Sequence, residues 1–249
     1  WAIKKGKVIG VALAVDGWQG YFPLAHPGGG NFDEKVFKRQ LKKILDLPCD
    51  KIFHNAIYDI GWLSAMGLEV KGRIIDTMIA APLIDENKRN YSLKEIAQEY
   101  IGETKSEAGL YEAAKDFGVD AKAEMHMLPA MYVGPYAEQD AAVTLKLWQA
   151  LKVELIKQEL TSVFNLETEL LPILFHMKRK GVRVDIDKAE RVKEDFKNTE
   201  KKILHSLYKE CGFEMEILSP LSIQKAFDKL KISYNRTPTG LPSFDKNFL

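Results

Sequence analysis

The side chains best suited to chemistry fall in two short strings. HNAIYDIGWL carries Asn55, Tyr58 and Asp59, and YAEQD carries Tyr136 and Asp140. Asp59 follows a short apolar run and stands in the opening turn of a predicted helix. Tyr136 and Asp140 lie four residues apart, just after Pro135, where a long helix is predicted to start, so both project from one face. Two carboxylates from distant segments, with a phenol beside one of them, suit a divalent cation and a phosphate group. Each residue alone has a plainer reading. An acid in a first helical turn is favoured by the helix dipole, an acid on an exposed helix face is usually just solvated, and Tyr136 could be an aromatic packing residue. Asp140 stands apart because it interrupts an apolar and small-residue run, Ala137 through Leu147. A carboxylate near a buried face needs a partner, and a cation can serve.

The elements that must position these residues can be read from periodicity and punctuation. Lys7 to Val15 and Trp18 to Leu24 are β-rich runs joined by Asp16-Gly17, a strong hairpin signal. The PGGGN stretch, Pro27 to Asn31, lacks the Lys-Ser/Thr of a phosphate-binding loop and reads as structural. Phe32 to Leu47 has helical periodicity. Lys51 to Phe53 and Arg73 to Ile75 are short apolar strands, and Ser92 with Glu95 forms a capping box before a helix. From Thr161 to Lys180 a helix is predicted, ended by Gly181. Asp187 is the predicted cap of a long helix reaching Cys211-Gly212, and Ser219-Pro220 opens a further helix. Strands alternate with helices to about residue 150 and then largely stop. The division expected is residues 1–158 as an α/β domain and 159–249 as a mainly helical segment.

Composition narrows the classes. The 249 residues carry 46% hydrophobic and 29% charged side chains with a net charge of +1, an ordinary balance for a globular protein. Bulk charge therefore announces no nucleic acid, and any such contact must come from local patches. Cys49 and Cys211 match no metal or redox spacing, and the five histidines form no zinc motif. No apolar run is long enough for a membrane span. A reducing, cytoplasmic setting in a bacterial or viral source is the expectation.

Asn55-x-x-Tyr58-Asp59 and Tyr136-x-x-x-Asp140 resemble the second and third motifs of the DEDDy 3′–5′ exonucleases, and Asp76 to Gly102 is similar to the stretch between them. Downstream, Glu169 to Leu174 and Met177 to Asp185 resemble the start of the polymerase portion of family A DNA polymerases. Ser219-Pro220 with Gln224, and Thr237 to Ser243, are similar to that family's thumb. The resemblance implies a ribonuclease H-like α/β exonuclease domain, a mixed sheet flanked by helices with its first strand missing, followed by a helical connector and partial thumb. It implies proofreading of DNA with two divalent cations, Mg2+ or Mn2+, about 3.5–4 Å apart. Asp140 would bind the tighter cation and Asp59 would support the other. Tyr136 would orient the attacking water, while Asn55 and Tyr58 would contact the terminal nucleotide. Its partners would be a single-stranded DNA 3′ end at the exonuclease site and duplex DNA at the thumb.

One departure matters. The family's first motif, D-x-E, has no counterpart, since only WAIKKG precedes the first strand. The expectation is a fragment of a longer polymerase, itself inactive or nearly so, whose palm is also absent. Two alternatives share the motifs: a free-standing DEDDy nuclease acting on RNA or DNA, and a vestigial exonuclease fold serving as a polymerase scaffold. The basic residues Lys178, Arg179, Lys180 and Arg183 could touch a duplex backbone. The helix that follows alternates Lys with Glu, which reads equally well as a solvated, ion-paired surface.

Overall fold

A computed structural model describes residues 6–103 and 107–244, so residues 1–5, most of the WAIKKG stretch ahead of the first strand, lie outside the described residues. Strands β1 (Gly10–Val15) and β2 (Trp18–Pro23) pair antiparallel from Gly10 opposite Pro23 to Val15 opposite Trp18. Gly17 turns the hairpin with φ 76°, a conformation that costs glycine little. Residues 7–9, expected within the first strand, precede it. Helix α1 (Glu34–Leu45) follows, capped by Asp33, which accepts from the Val36 amide. Its Phe37, Leu41 and Leu45 bury one face against Leu24, Leu63 and Leu68.

Strands β3 (Lys51–Phe53) and β4 (Ile74–Asp76) pair in parallel, Ile52 opposite Ile75 and Phe53 opposite Asp76. A parallel pair needs a crossover, and helix α2 (Ala56–Ala65) supplies it. Antiparallel and parallel pairing are thus both present, in two separate ladders. Helices α3 (Thr77–Ile84), α4 (Leu93–Ile101) and α5 (Ala108–Phe117) then lead to a long helix, α6 (Ala130–Lys157). The capping box is half realised. Ser92 accepts from the Glu95 amide at 3.4 Å, but the Ser92 amide donates to Asn90 and not to Glu95.

The long helix starts five residues earlier than predicted. Pro129, not Pro135, precedes its first turn, and Pro135 lies inside it. The missing amide forgoes one bond near the helix start, where neighbouring turns carry the helix on. Helix α6 packs against β1, β2, β3, α3 and α4. Val143, Leu147 and Leu151 share a buried cluster with Ile75 and Ile96, and Ile52 packs against it.

Contacts divide the chain into two compact units, 1–181 and 182–249. Helix α7 (Thr161–Lys180) belongs to the first, past residue 158, because three apolar anchors hold it there. Phe164 stacks on Trp148 with ring centroids 5.2 Å apart. Leu171 and Phe175 bury against Ala56, Ile60 and Ile74.

The second unit comprises α8 (Ile186–Cys211), α9 (Pro220–Leu230) and a small hairpin, β5 (Asn235–Arg236) with β6 (Pro242–Ser243). Asp185, rather than Asp187, caps α8 by accepting from the Lys188 amide at 2.9 Å. Asp187 falls in the first turn. Ion pairs Lys193–Glu190 and Lys197–Glu194, each 3.2 Å, favour the solvated reading of this helix. Among the described residues no helix is long and apolar enough to cross a membrane.

Candidate active site

The site begins where β3 ends. Asn55 adopts the left-handed region, φ 68° and ψ 53°, which Asn tolerates better than most residues. Its side chain makes no capping bond. The exposed helix start is held instead by Asp76 at the end of the paired strand. Asp76 Oδ1 accepts from the Asn55 amide at 2.9 Å and the Met78 amide at 2.9 Å, and Oδ2 accepts from the Ala56 amide at 2.7 Å. One buried carboxylate therefore satisfies orphan amides at the starts of both α2 and α3, where both dipoles favour negative charge. Beside it the Thr77 hydroxyl donates to the Phe53 carbonyl at 3.1 Å. That hydroxyl must then accept from His54 Nδ1, 2.9 Å away, so the proton sits on Nδ1.

Asp59 stands half-buried in the first turn of α2, beside this corner. Burial and, second, the nearby Asp76 charge push its carboxyl up to about 7. Tyr58 stands beside it with 54% of its surface exposed and meets Trp62 edge-on, ring centroids 6.2 Å apart. Asn55, Tyr58 and Asp59 are thus gathered at one helix start.

Tyr136 and Asp140 occupy adjacent turns of α6, both half-buried. Tyr136 packs against the cluster of Leu110, Ala114, Leu128 and Val133, so its packing role is real. Lys122 lies near it. Its ammonium is held more strongly protonated by Glu107 first, then Tyr111, with a smaller contribution from Tyr136. The Oδ1 atom of Asp140 is buried. The Asp140 carbonyl accepts from the Thr144 hydroxyl at 2.7 Å, one turn on.

The N-terminal part of α6 is moored to β2 through Tyr21. The Tyr21 amide donates to Glu138 Oε1 at 2.8 Å. Its phenol lies 2.6 Å from His26 Nε2, while His26 Nδ1 lies 2.7 Å from the Leu128 carbonyl. A carbonyl only accepts, so Nδ1 carries the proton and Nε2 accepts from the phenol. Burial pushes the Tyr21 phenol's ionisation up, keeping it a donor.

Sequence reasoning passed over Asp76 and Glu138. Asp76 carried a signal, an Asp directly after an apolar strand and before a helical run. Glu138 carried none, since its partner is the backbone of a strand 117 residues away.

The oxygen-only donors Asp59 and Asp140 suit a hard cation. Desolvation and a neighbouring carboxylate make a bare charge on Asp59 costly, and a cation would offset that cost. Among the described residues no three His, Cys, Asp or Glu side chains gather into a group that could hold a metal. Asp59 and Asp140 would be part of a ligand set, not the whole of it.

Comparison with known proteins bears on the family and the fold. The DNA-directed DNA polymerase of Pseudomonas phage M6 is 34% identical over 249 residues, covering 97% of this chain and 38% of that protein. DNA polymerase I of Pseudomonas aeruginosa is 29% identical, covering 96% of this chain and 27% of its own length. The chain therefore spans well under half of either polymerase. Among solved structures, the POL domain of Pol1 from M. smegmatis, in complex with DNA primer-template and dNTP, matches with a TM-score of 0.63 at 22% identity, covering 94% of this chain and 36% of that one. Brucella melitensis NrnC bound to pGG matches with a TM-score of 0.54 at 21% identity, over 72% of this chain and 79% of that one. At these identities the two structures speak to the fold alone. A family model described as 3′–5′ exonuclease matches residues 27–156, more than half of the chain. The chain belongs to the 3′–5′ exonuclease family of the family A DNA polymerases.

Proposed function

We propose that residues 6–157 carry the proofreading site of a family A DNA polymerase, removing nucleotides from a single-stranded DNA 3′ end while the parent protein performs template-directed synthesis. The observation that carries this reading is Asp59, a half-buried carboxylate beside a second carboxylate at the start of a helix, within the segment matched by the exonuclease family. Asp59 and Asp140 would each ligate a divalent cation, Mg2+ or Mn2+. When bound, such cations supply positive charge to both the attacking and the leaving oxygen of an in-line displacement.

The protein's own residues do the rest. Tyr136, one turn before Asp140, offers a phenol to orient the attacking water. Asn55 presents an exposed side-chain carboxamide that makes no capping bond at the start of α2, and Tyr58 presents an exposed ring, so both suit contact with the terminal nucleotide. Asp76 keeps the α2 start in place. The second unit, 182–249, corresponds to the beginning of the polymerase part, with duplex DNA as its partner. The DNA polymerase of phage M6 aligns with 97% of this chain, across both units, which favours a polymerase over a free-standing nuclease.

The test uses the full-length gene product with Mg2+. Asp140→Ala and Asp59→Ala should each lower trimming of a single-stranded oligonucleotide at least ~100-fold while nucleotide incorporation persists, as expected when charge stabilisation of the transition state is removed. Trimming at the parent rate by either variant would refute the assignment.

A further inference from the structure

Tyr136 and Asp140 act through a helix, so the rotation of that helix about its axis decides where both side chains aim. At about 100° per residue, they stand about 40° apart on one side of α6. Glu138, between them, stands about 160° from either, on the opposite side. It cannot serve the same centre as a ligand, yet it grips the strand. Its Oε1 accepts from the Tyr21 amide at 2.8 Å. Gly134, one turn earlier on the same side, brings the helix backbone against the Tyr21 ring, where a Cβ would lie 3.4 Å from a ring carbon. The Tyr21 phenol, through His26, holds the Leu128 carbonyl just ahead of the helix.

We infer that Glu138 is a positioning residue that sets the rotational phase of α6, so that Tyr136 and Asp140 point toward the β3–β4 side. The inference rests on the function proposed above. Three grips on one tyrosine, at Leu128, Gly134 and Glu138, bracket the turn that carries Tyr136. On the other side of the helix, Val143 and Leu147 bury against Ile75. Glu138 supplies a polar grip two residues before Asp140. It is half-buried, and a carboxylate accepting from an amide in such a place makes a stronger bond than a neutral acceptor does. Without it this side of the turn keeps only the contact of Gly134 with the Tyr21 ring, and Gly134 offers no side chain to resist a small rotation.

The experiment compares Glu138→Gln, Glu138→Asp and Glu138→Ala in the full-length gene product, with Asp140→Ala as reference. Steady-state trimming of a single-stranded oligonucleotide in Mg2+ is followed, with thermal midpoints alongside. Glutamine keeps the reach and an acceptor oxygen but not the charge. Aspartate keeps the charge but is one methylene short. The expected order of kcat is parent, then Gln within ~3-fold, then Asp and Ala lower by ~10- to 100-fold, with KM little changed, the size of loss that misplacement brings. If Glu138→Ala does not fold, the Gln and Asp pair carries the test.

Aspartate outperforming glutamine would overturn the inference in favour of a purely electrostatic role. A rise in KM alone would overturn it in favour of substrate contact. Parent-like trimming by both Asp and Ala variants would overturn it outright. Should Asp140→Ala itself trim normally, the proposed site fails, whatever the Glu138 variants do.

Discussion

Asp76 offers the sharpest test of how the fold holds the site. Replacing it with alanine strips an acceptor from three amides at once, those of Asn55, Ala56 and Met78, in a place where Asp76 itself is only 5% exposed. Hydrogen bonds to a charged group contribute about 1.5–3 kcal/mol each, so three set a ceiling of about 4.5–9 kcal/mol. Removing the carboxylate also removes its own desolvation penalty, which offsets several kcal/mol. The net expectation for Asp76→Ala is a loss of about 2–5 kcal/mol, a large share of an ordinary domain's stability.

Asp76→Asn separates the parts of this sum. Its carbonyl oxygen can replace Oδ1 and keep the Asn55 and Met78 bonds, while its amide group faces the Ala56 amide, donor against donor. The expected loss is about 1–3 kcal/mol, less than for alanine. Urea unfolding at pH 7.5, read by far-ultraviolet circular dichroism and tryptophan fluorescence, measures both. Asp76→Ala within about 1 kcal/mol of the parent, or Asp76→Asn more damaging than Asp76→Ala, would refute the reasoning.

Asp59 should make stability pH-dependent. Its folded carboxyl, raised from 3.8 to about 7, holds a proton that the unfolded chain releases in that interval. Without added metal, its contribution is therefore most favourable near pH 4 and declines as pH rises to about 7, by up to about 4 kcal/mol. Asp59→Asn should flatten this slope in denaturation curves taken across that range, and an unchanged slope would sink the idea. Phe164→Ala should cost about 3–5 kcal/mol, because it empties the stack on Trp148 that anchors α7, and a urea midpoint equal to the parent's would count against that anchor. Tyr136→Phe should reduce trimming by the full-length gene product ~10- to 100-fold without unfolding it, since packing is kept and only the hydroxyl is lost.

Much of the local architecture was legible in the sequence, because it rests on interactions between near neighbours. The Asp16-Gly17 hairpin, the strand Lys51–Phe53 and the helix Thr161–Lys180 all stand where periodicity and turn chemistry placed them. The two site strings were equally visible, since a residue type at a fixed spacing on a helix needs no knowledge of the rest of the chain. Two helix starts were misplaced: the sequence reading opened one helix at Pro135, where Pro129 precedes it, and capped another with Asp187, where Asp185 caps it. Packing at Val133 and Gly134 and the bond to Lys188 made the choice.

What tertiary structure alone decided is how those strings are held. Asp76 reaches back 20 residues to the start of α2, and Glu138 reaches 117 residues to a strand amide. No periodicity announces an acceptor whose donor is a backbone group on another element, because the donor exists at every residue and only the fold selects one. The acidity of Asp59 has the same origin, since desolvation is a property of what surrounds a carboxylate and not of the carboxylate itself.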